Sequence, residues 1–109
     1  MITIVKTYSS QKFDEIYQIF NDNTMIGSIS ILYNSINMIN IYIDEKYRGY
    51  GYGSDSFRLI LEQLKNKKIL KIMITIPVNN IIMMRIINHY KNMIKNKNNE
   101  LITYELINE

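Results

Sequence analysis

The chain has no cysteine, no tryptophan and no alanine, and only one proline and one histidine in 109 residues. Without cysteine there are no disulfides, no thiolate metal sites and no cysteine nucleophile, which fits a reducing compartment. No apolar run is long enough to span a bilayer. The N-terminus, Met1-Ile2-Thr3-Ile4-Val5-Lys6, lacks the basic-then-apolar layout of a secretory leader. These absences predict a soluble, intracellular protein of the cytoplasm. The lack of alanine accompanies abundant isoleucine, asparagine and lysine, as an AT-rich genome would produce. Asparagine runs such as Lys97-Asn98-Asn99 therefore carry less meaning than elsewhere.

What is present predicts one folded domain over residues 1–109. The mass is 13.0 kDa, which allows a core of modest size. A hydrophobic fraction of 47% is too high for disorder. The net charge of +3 and pI of about 9.1 suit an anionic ligand, but the lysines are scattered and form no basic face of the kind nucleic acid needs.

Three of the four glycines lie in Arg48-Gly49-Tyr50-Gly51-Tyr52-Gly53-Ser54. An apolar run, Ile39 to Ile43, precedes this stretch, and an amphipathic run from Ser54 to Lys67 follows it. The glycines therefore sit in a turn from strand to helix. Glycine tolerates positive φ and lets a ligand approach the backbone. The first turn of a helix offers unpaired N–H groups and the positive end of its dipole. Together these describe an anion site, most often one for phosphate.

In chain order, alternation from Ile2 predicts a strand to about Tyr8, and Ser9-Ser10-Gln11 a turn. Residues 13–20 are ambiguous. Phe13, Ile16, Tyr17 and Phe20 have helical spacing, with Ser10 as an N-cap. The Asn21-Asp22-Asn23-Thr24 cluster instead suits a strand entering a hairpin, the reading preferred here. Strands are expected over Met25–Tyr33 and Ile36–Ile43. A helix capped by Ser54 or Asp55 carries the stripe Phe57, Ile60, Leu61 and Leu64. Ile69 to Ile76 reads as an interior strand covered on both faces and ended by Pro77. A second helix runs from Asn79 or Asn80 to about Met93, Lys95–Asn99 is a polar turn, and Leu101–Ile107 is a last strand with Ile102, Tyr104 and Leu106 inward. The result is an α/β chain with a mixed sheet in which the strands flanking the first helix are parallel.

Three known turns compete for the glycines. A dinucleotide turn needs Gly-x-Gly-x-x-Gly and a carboxylate after the next strand, where this chain has Thr75-Ile76-Pro77. A P-loop needs Gly-Lys-Ser/Thr, which is absent. Arg48-x-x-Gly51-x-Gly53, preceded by Ile41, Ile43 and Glu45, resembles the acyl-CoA signature of the GNAT superfamily of N-acyltransferases, although that family often has proline where Glu45 stands. Met25-Ile26-Gly27-Ser28-Ile29 resembles its glycine-bearing strand. Asn80, Met83 and Arg85 resemble its later helix, but the Gly-Phe that usually follows is missing.

The resemblance implies a GNAT-like fold, with N-terminal helices reduced or absent and main helices after the fourth and fifth strands. It implies acetyl-CoA as co-substrate and direct attack of a primary amine on the thioester. It assigns cofactor binding to Ile41, Ile43, Arg48, Gly49, Tyr50, Gly51, Tyr52, Gly53, Ser54 and Asn80, with the Ile43 N–H polarising the acetyl carbonyl. Asn80 is alternatively a helix N-cap. Tyr90 is placed as proton donor to the thiolate, or else as a core aromatic. The strand before the motif holds no carboxylate, which leaves Asp44, Glu45 or water as base. His89, the single histidine, is a residue type that can act as a base, but it lies off the apolar stripe, as a solvated residue would. The short N-terminal segment implies an open acceptor cleft suited to a protein or peptide amine, or one closed by a second subunit in a homodimer. The missing carboxylate and displaced tyrosine also fit a non-catalytic module of the same fold that binds CoA or a protein.

Overall fold

The computed structural model describes residues 1–7 and 12–108. The expected strand end at Tyr8, the turn Ser9-Ser10-Gln11 and the cap at Ser10 lie outside these residues. Seven strands and two α-helices follow in the order β1 (Ile2–Lys6), β2 (Glu15–Asn21), β3 (Thr24–Tyr33), β4 (Asn37–Ile43), α1 (Tyr52–Asn66), β5 (Lys71–Pro77), α2 (Ile81–Ile87), β6 (Asn92–Lys97) and β7 (Leu101–Ile107). They form one sheet ordered β1-β2-β3-β4-β5-β7-β6. Residues 15–21 are a strand. They enter a tight hairpin in which Asp22 takes the left-handed conformation at φ 53°.

Every ladder is antiparallel except β4 with β5, which touch at one pair, Met38 with Met73. Both strands run on from that pair without further pairing, so their C-terminal ends diverge into a wedge. The glycine turn follows β4 and α2 follows β5, so both loops open onto the wedge.

Period-two alternation sorts the strand residues. Ile19, Ile29, Ile39, Ile72, Ile74, Ile102 and Leu106 share one face and are buried. The apolar stripe of α1 (Phe57, Ile60, Leu61, Leu64) and that of α2 (Met83, Ile86, Ile87) join them in one core. The expectation that β5 is covered on both faces is corrected here. Its other face, Met73 and Thr75, is only half-buried, because no helix among the described residues lies over it.

Two helix boundaries also differ. Helix α1 starts at Tyr52, and its N-cap is Gly51, not Ser54 or Asp55. It ends in a Schellman turn: Lys68 takes φ 62°, and the Ile69 N–H returns to the Leu64 carbonyl at 2.9 Å. Helix α2 stops at Ile87, six residues before the expected Met93. The Asn92 amide donates to the Tyr90 carbonyl at 2.9 Å, and the chain leaves as β6 to pair with β7.

Away from the wedge, the Glu15 carboxylate is buried. It accepts from Lys67 at 2.8 Å, Lys6 at 2.9 Å, Tyr17 at 3.3 Å and the Tyr33 hydroxyl. Burial alone raises its pKa. Hydrogen bonds from Lys67, Tyr33 and Lys6 outweigh burial and pull it down from 4.5 to about 2. A depressed carboxylate pKa contributes stability above the unfolded value, and that stability is lost as pH falls towards the folded one. Denaturant unfolding at a series of pH values should therefore show about 3 kcal/mol lost between pH 5 and pH 2 from this group. Glu15→Gln should remove most of that pH dependence, and a variant with an unchanged profile would refute the assignment.

Candidate active site

The wedge is a cleft of about 790 Å³ between the β4 end, the glycine turn and the first turns of α2. Ile41, Tyr42 and Ile43 line it from β4. Tyr47, Arg48, Gly49, Gly51, Tyr52, Gly53 and Ser54 line it from the turn, and Pro77, Asn79, Asn80, Met83, Arg85, Ile86 and His89 from the opposite wall. Among the described residues no lining side chain is a carboxylate, while Arg48, Arg85 and His89 are basic. The lining thus carries basic side chains and, among the described residues, no acidic one.

Gly49 and Gly51 adopt φ of 88° and 83°, and a Cβ at either would meet nothing within 4 Å. Glycine is required there for backbone conformation and for open approach, not for internal packing. Gly51 caps α1 with no side-chain bond, and the first intrahelical bond runs from the Asp55 N–H to the Gly51 carbonyl at 3.2 Å. The N–H groups of Tyr52, Gly53 and Ser54 precede that bond, at the positive end of a 15-residue helix. A Cβ at Gly53 would make only ordinary van der Waals contact with Ile86, at 3.8 Å, and Ile43, at 3.9 Å.

The parity of the β3–β4 ladder sets the groups at the β4 end. The Asp44 N–H donates to the Ile26 carbonyl at 2.8 Å, in register with the Gly27–Ile43 pair. Asp44, Tyr42 and Asn40 therefore turn their backbone groups to β3, and Ile41 and Ile43 turn theirs to the wedge. The Ile43 carbonyl is taken by Arg48 Nε at 2.8 Å, which leaves its N–H facing the cleft. The Arg48 guanidinium also lies 5.3 Å from the Tyr42 ring centroid. Its first role here is thus to hold the β4 end.

Nine of the ten expected cofactor positions — Ile41, Ile43, Arg48, Gly49, Gly51, Tyr52, Gly53, Ser54 and Asn80 — line the cleft. Asn80 Oδ1 accepts from the Met83 N–H at 3.1 Å, so it is the α2 N-cap as well. Tyr50 is outside the lining, and its ring stacks on Tyr52 at 5.6 Å. The placement of Tyr90 on the second helix is corrected. It follows the end of α2, does not line the cleft, and packs edge-on against Phe57 at 5.4 Å. Burial pushes its hydroxyl up, which suits a core aromatic. His89 is exposed, as expected, but lines the cleft rim. Sequence reasoning missed Tyr47 and Asn79 as lining residues. The signal available for both was adjacency to the two loops at the strand ends.

The acetyltransferase (GNAT) family profile matches residues 4–89. The chain belongs to this family. Among solved structures, a GNAT family acetyltransferase from Elizabethkingia anophelis with acetyl-CoA bound has a TM-score of 0.77 at 17% identity. The match covers 97% of each chain. The IAA acetyltransferase from Bacillus cereus has a TM-score of 0.79 at 14% identity, over 98% of this chain and 99% of that one. The PaiA N-acetyltransferase from Thermoplasma acidophilum, solved in complex with coenzyme A, has a TM-score of 0.70 at 16% identity, over 84% of this chain and 59% of that one. At these identities the likeness is one of fold. No curated protein sequence is a significant match. Among the described residues, this member has no helix between β1 and β2.

Proposed function

We propose that this GNAT protein is an N-acetyltransferase that takes acetyl from acetyl-CoA and gives it to a primary amine, with protein or peptide amines as the acceptor class. The observation that carries this reading is the carboxylate-free cleft with its basic residues, left-handed glycines and uncapped N-terminus of α1. That combination suits a pyrophosphate at the turn. The wedge-facing N–H groups of Ile41 and Ile43 suit a chain of amides and a thioester laid along β4. The bound acetyl-CoA of the Elizabethkingia neighbour supports the choice of donor.

In the proposed reaction the amine nitrogen attacks the thioester carbon. The carbonyl oxygen gains charge beside the Ile43 N–H, and the C–S bond breaks to give the amide and a thiolate. Holding both reactants supplies much of the acceleration. With Tyr90 turned into the core, water in the open cleft protonates the thiolate and takes the ammonium proton. A hollow lined by Tyr42, Asp44, Glu45 and Lys46 adjoins the same strand end. Its two carboxylates favour a cationic acceptor, and its openness favours a large one.

Acetyl-CoA at a hundredfold its dissociation constant should stabilise the protein by about 2.7 kcal/mol in thermal unfolding. Incubation with a library of amines and peptides should then release free thiol with the peptides that fit. Absence of stabilisation would sink the donor assignment. Stabilisation without thiol release from any acceptor would favour the non-catalytic module.

A further inference from the structure

The glycine turn carries one side chain that its backbone role does not explain. Tyr50 stands between the left-handed Gly49 and Gly51. It is 68% exposed, more than any other large apolar side chain among the described residues except Met1. Single exposed aromatics are ordinary, but this ring is held. It stacks on Tyr52, with centroids 5.6 Å apart and planes 24° from parallel. Tyr52 is fixed in turn. It is half-buried against the core and lines the cleft, and its hydroxyl accepts from Asn21 Nδ2 of the β2–β3 hairpin at 3.1 Å. The pair therefore forms a two-ring step that starts inside the cleft and ends outside it. A lysine or arginine lies over the rings of Tyr33, Tyr42 and Tyr47, but among the described residues no cation lies over Tyr50.

We propose that Tyr50 binds a purine: its open face stacks on the adenine of the donor, as a third ring on the Tyr52–Tyr50 step. This rests on the acetyl-CoA reading of the cleft. The step is preorganised, since Tyr52 and its Asn21 bond already hold the ring that a base would otherwise have to order. Aromatic rings stack offset with centroids about 4.5–7 Å apart, the spacing the pair already has. Tyr50 is also in the right place. Two residues separate it from Tyr52, whose N–H opens the α1 terminus, a reach of at most about 7 Å. A nucleotide joins its base to its diphosphate through a single ribose, so a diphosphate at that terminus brings the base to this ring. The consequence is donor choice. The π face reads the base, which a phosphopantetheine arm on a carrier protein lacks, so the site favours free acyl-CoA over the same thioester on a carrier protein.

Calorimetric titration gives the dissociation constant for acetyl-CoA. Competition gives that for S-acetyl-4′-phosphopantetheine, which carries the thioester arm without the nucleoside. Tyr50→Ala should weaken acetyl-CoA about tenfold, the scale of one base–aromatic stack, and leave the fragment within about twofold of wild type. Tyr50→Phe, which keeps the π face, should retain the wild-type affinity. Tyr50→Leu, which keeps only apolar bulk, should match Tyr50→Ala. Because Tyr50 is exposed, all three variants should melt with the wild type. Equal acetyl-CoA affinity in wild type and Tyr50→Ala would overturn the stack and leave the donor assignment standing. A loss shared equally by both ligands would also overturn it, since that loss would trace to the loop backbone. If the wild type binds no acetyl-CoA, the donor reading falls and this proposal falls with it.

Discussion

Gly51→Val will cost at least about a hundredfold in acetyl-CoA affinity, some 2.8 kcal/mol, and leave a folded protein. Two separate effects act at this position. A β-branched residue at φ 83° is strained by about 1–2 kcal/mol, which lowers the melting temperature. A Cβ added there meets no protein atom within 4 Å, and Gly51 lines the cleft where the phosphates are proposed to lie. Strain alone predicts a lower melting temperature with an unchanged dissociation constant. A filled cradle predicts both changes together. Calorimetric titration of the variant below its melting temperature separates them, and an unchanged affinity would remove the glycine turn from the binding site.

Gly27→Ala will be the most damaging small substitution, at about 3 kcal/mol and roughly 15 °C in melting temperature. Gly27 stands opposite Ile43 in the β3–β4 ladder. A Cβ built there falls 2.1 Å from the Tyr42 carbonyl oxygen and 3.0 Å from the Ile43 Cα. Both are backbone atoms, so no rotamer change relieves the clash and the β4 end must move outward. That end presents the N–H groups of Ile41 and Ile43 to the cleft, so affinity should fall along with stability. Ser28→Ala, one residue away on the uncovered face, should stay within about 0.5 kcal/mol of wild type. Denaturant titration of the two variants decides the matter, and equal costs would show that the close approach does not constrain the strand.

The parts of the fold legible in the sequence were those governed by local chemistry. Glycine spacing between an apolar run and an amphipathic one marked the turn, and the stripe of α1 was complete enough to place the helix against the core. Asn and Asp at 21–23 marked the first hairpin. Legibility failed where tertiary pairing overrode local pattern. Met83, Ile86, Ile87 and Tyr90 continue at helical spacing past the true end of α2, yet residues 92–97 gain more by pairing with β7. One cue was present: Asn98 Oδ1 accepts from the N–H groups of Glu100 and Leu101, both at 2.8 Å, an Asx-type turn that closes the β6–β7 hairpin. The same miscount carried Tyr90 onto the wrong element and towards the wrong role. The helix-to-wedge side of the site was readable from sequence alone. The uncovered face was not, because a strand whose second face is Lys71, Met73 and Thr75 looks the same in sequence whether a partner or solvent lies over it.

The single Met38–Met73 contact has a consequence for cooperativity. β1 to β4 form a meander of neighbouring strands, and β5, β7 and β6 form a second, separate ladder. Beyond that one pair, the two blocks share helices and side chains but no backbone hydrogen-bond ladder. They are thus candidates for distinct foldons, which open with different free energies in native-state hydrogen exchange. A cofactor lying along β4 in the wedge would supply the missing contacts between them. The ligand then becomes a keystone, and the empty and loaded proteins differ less in shape than in whether the sheet unfolds as two units or as one.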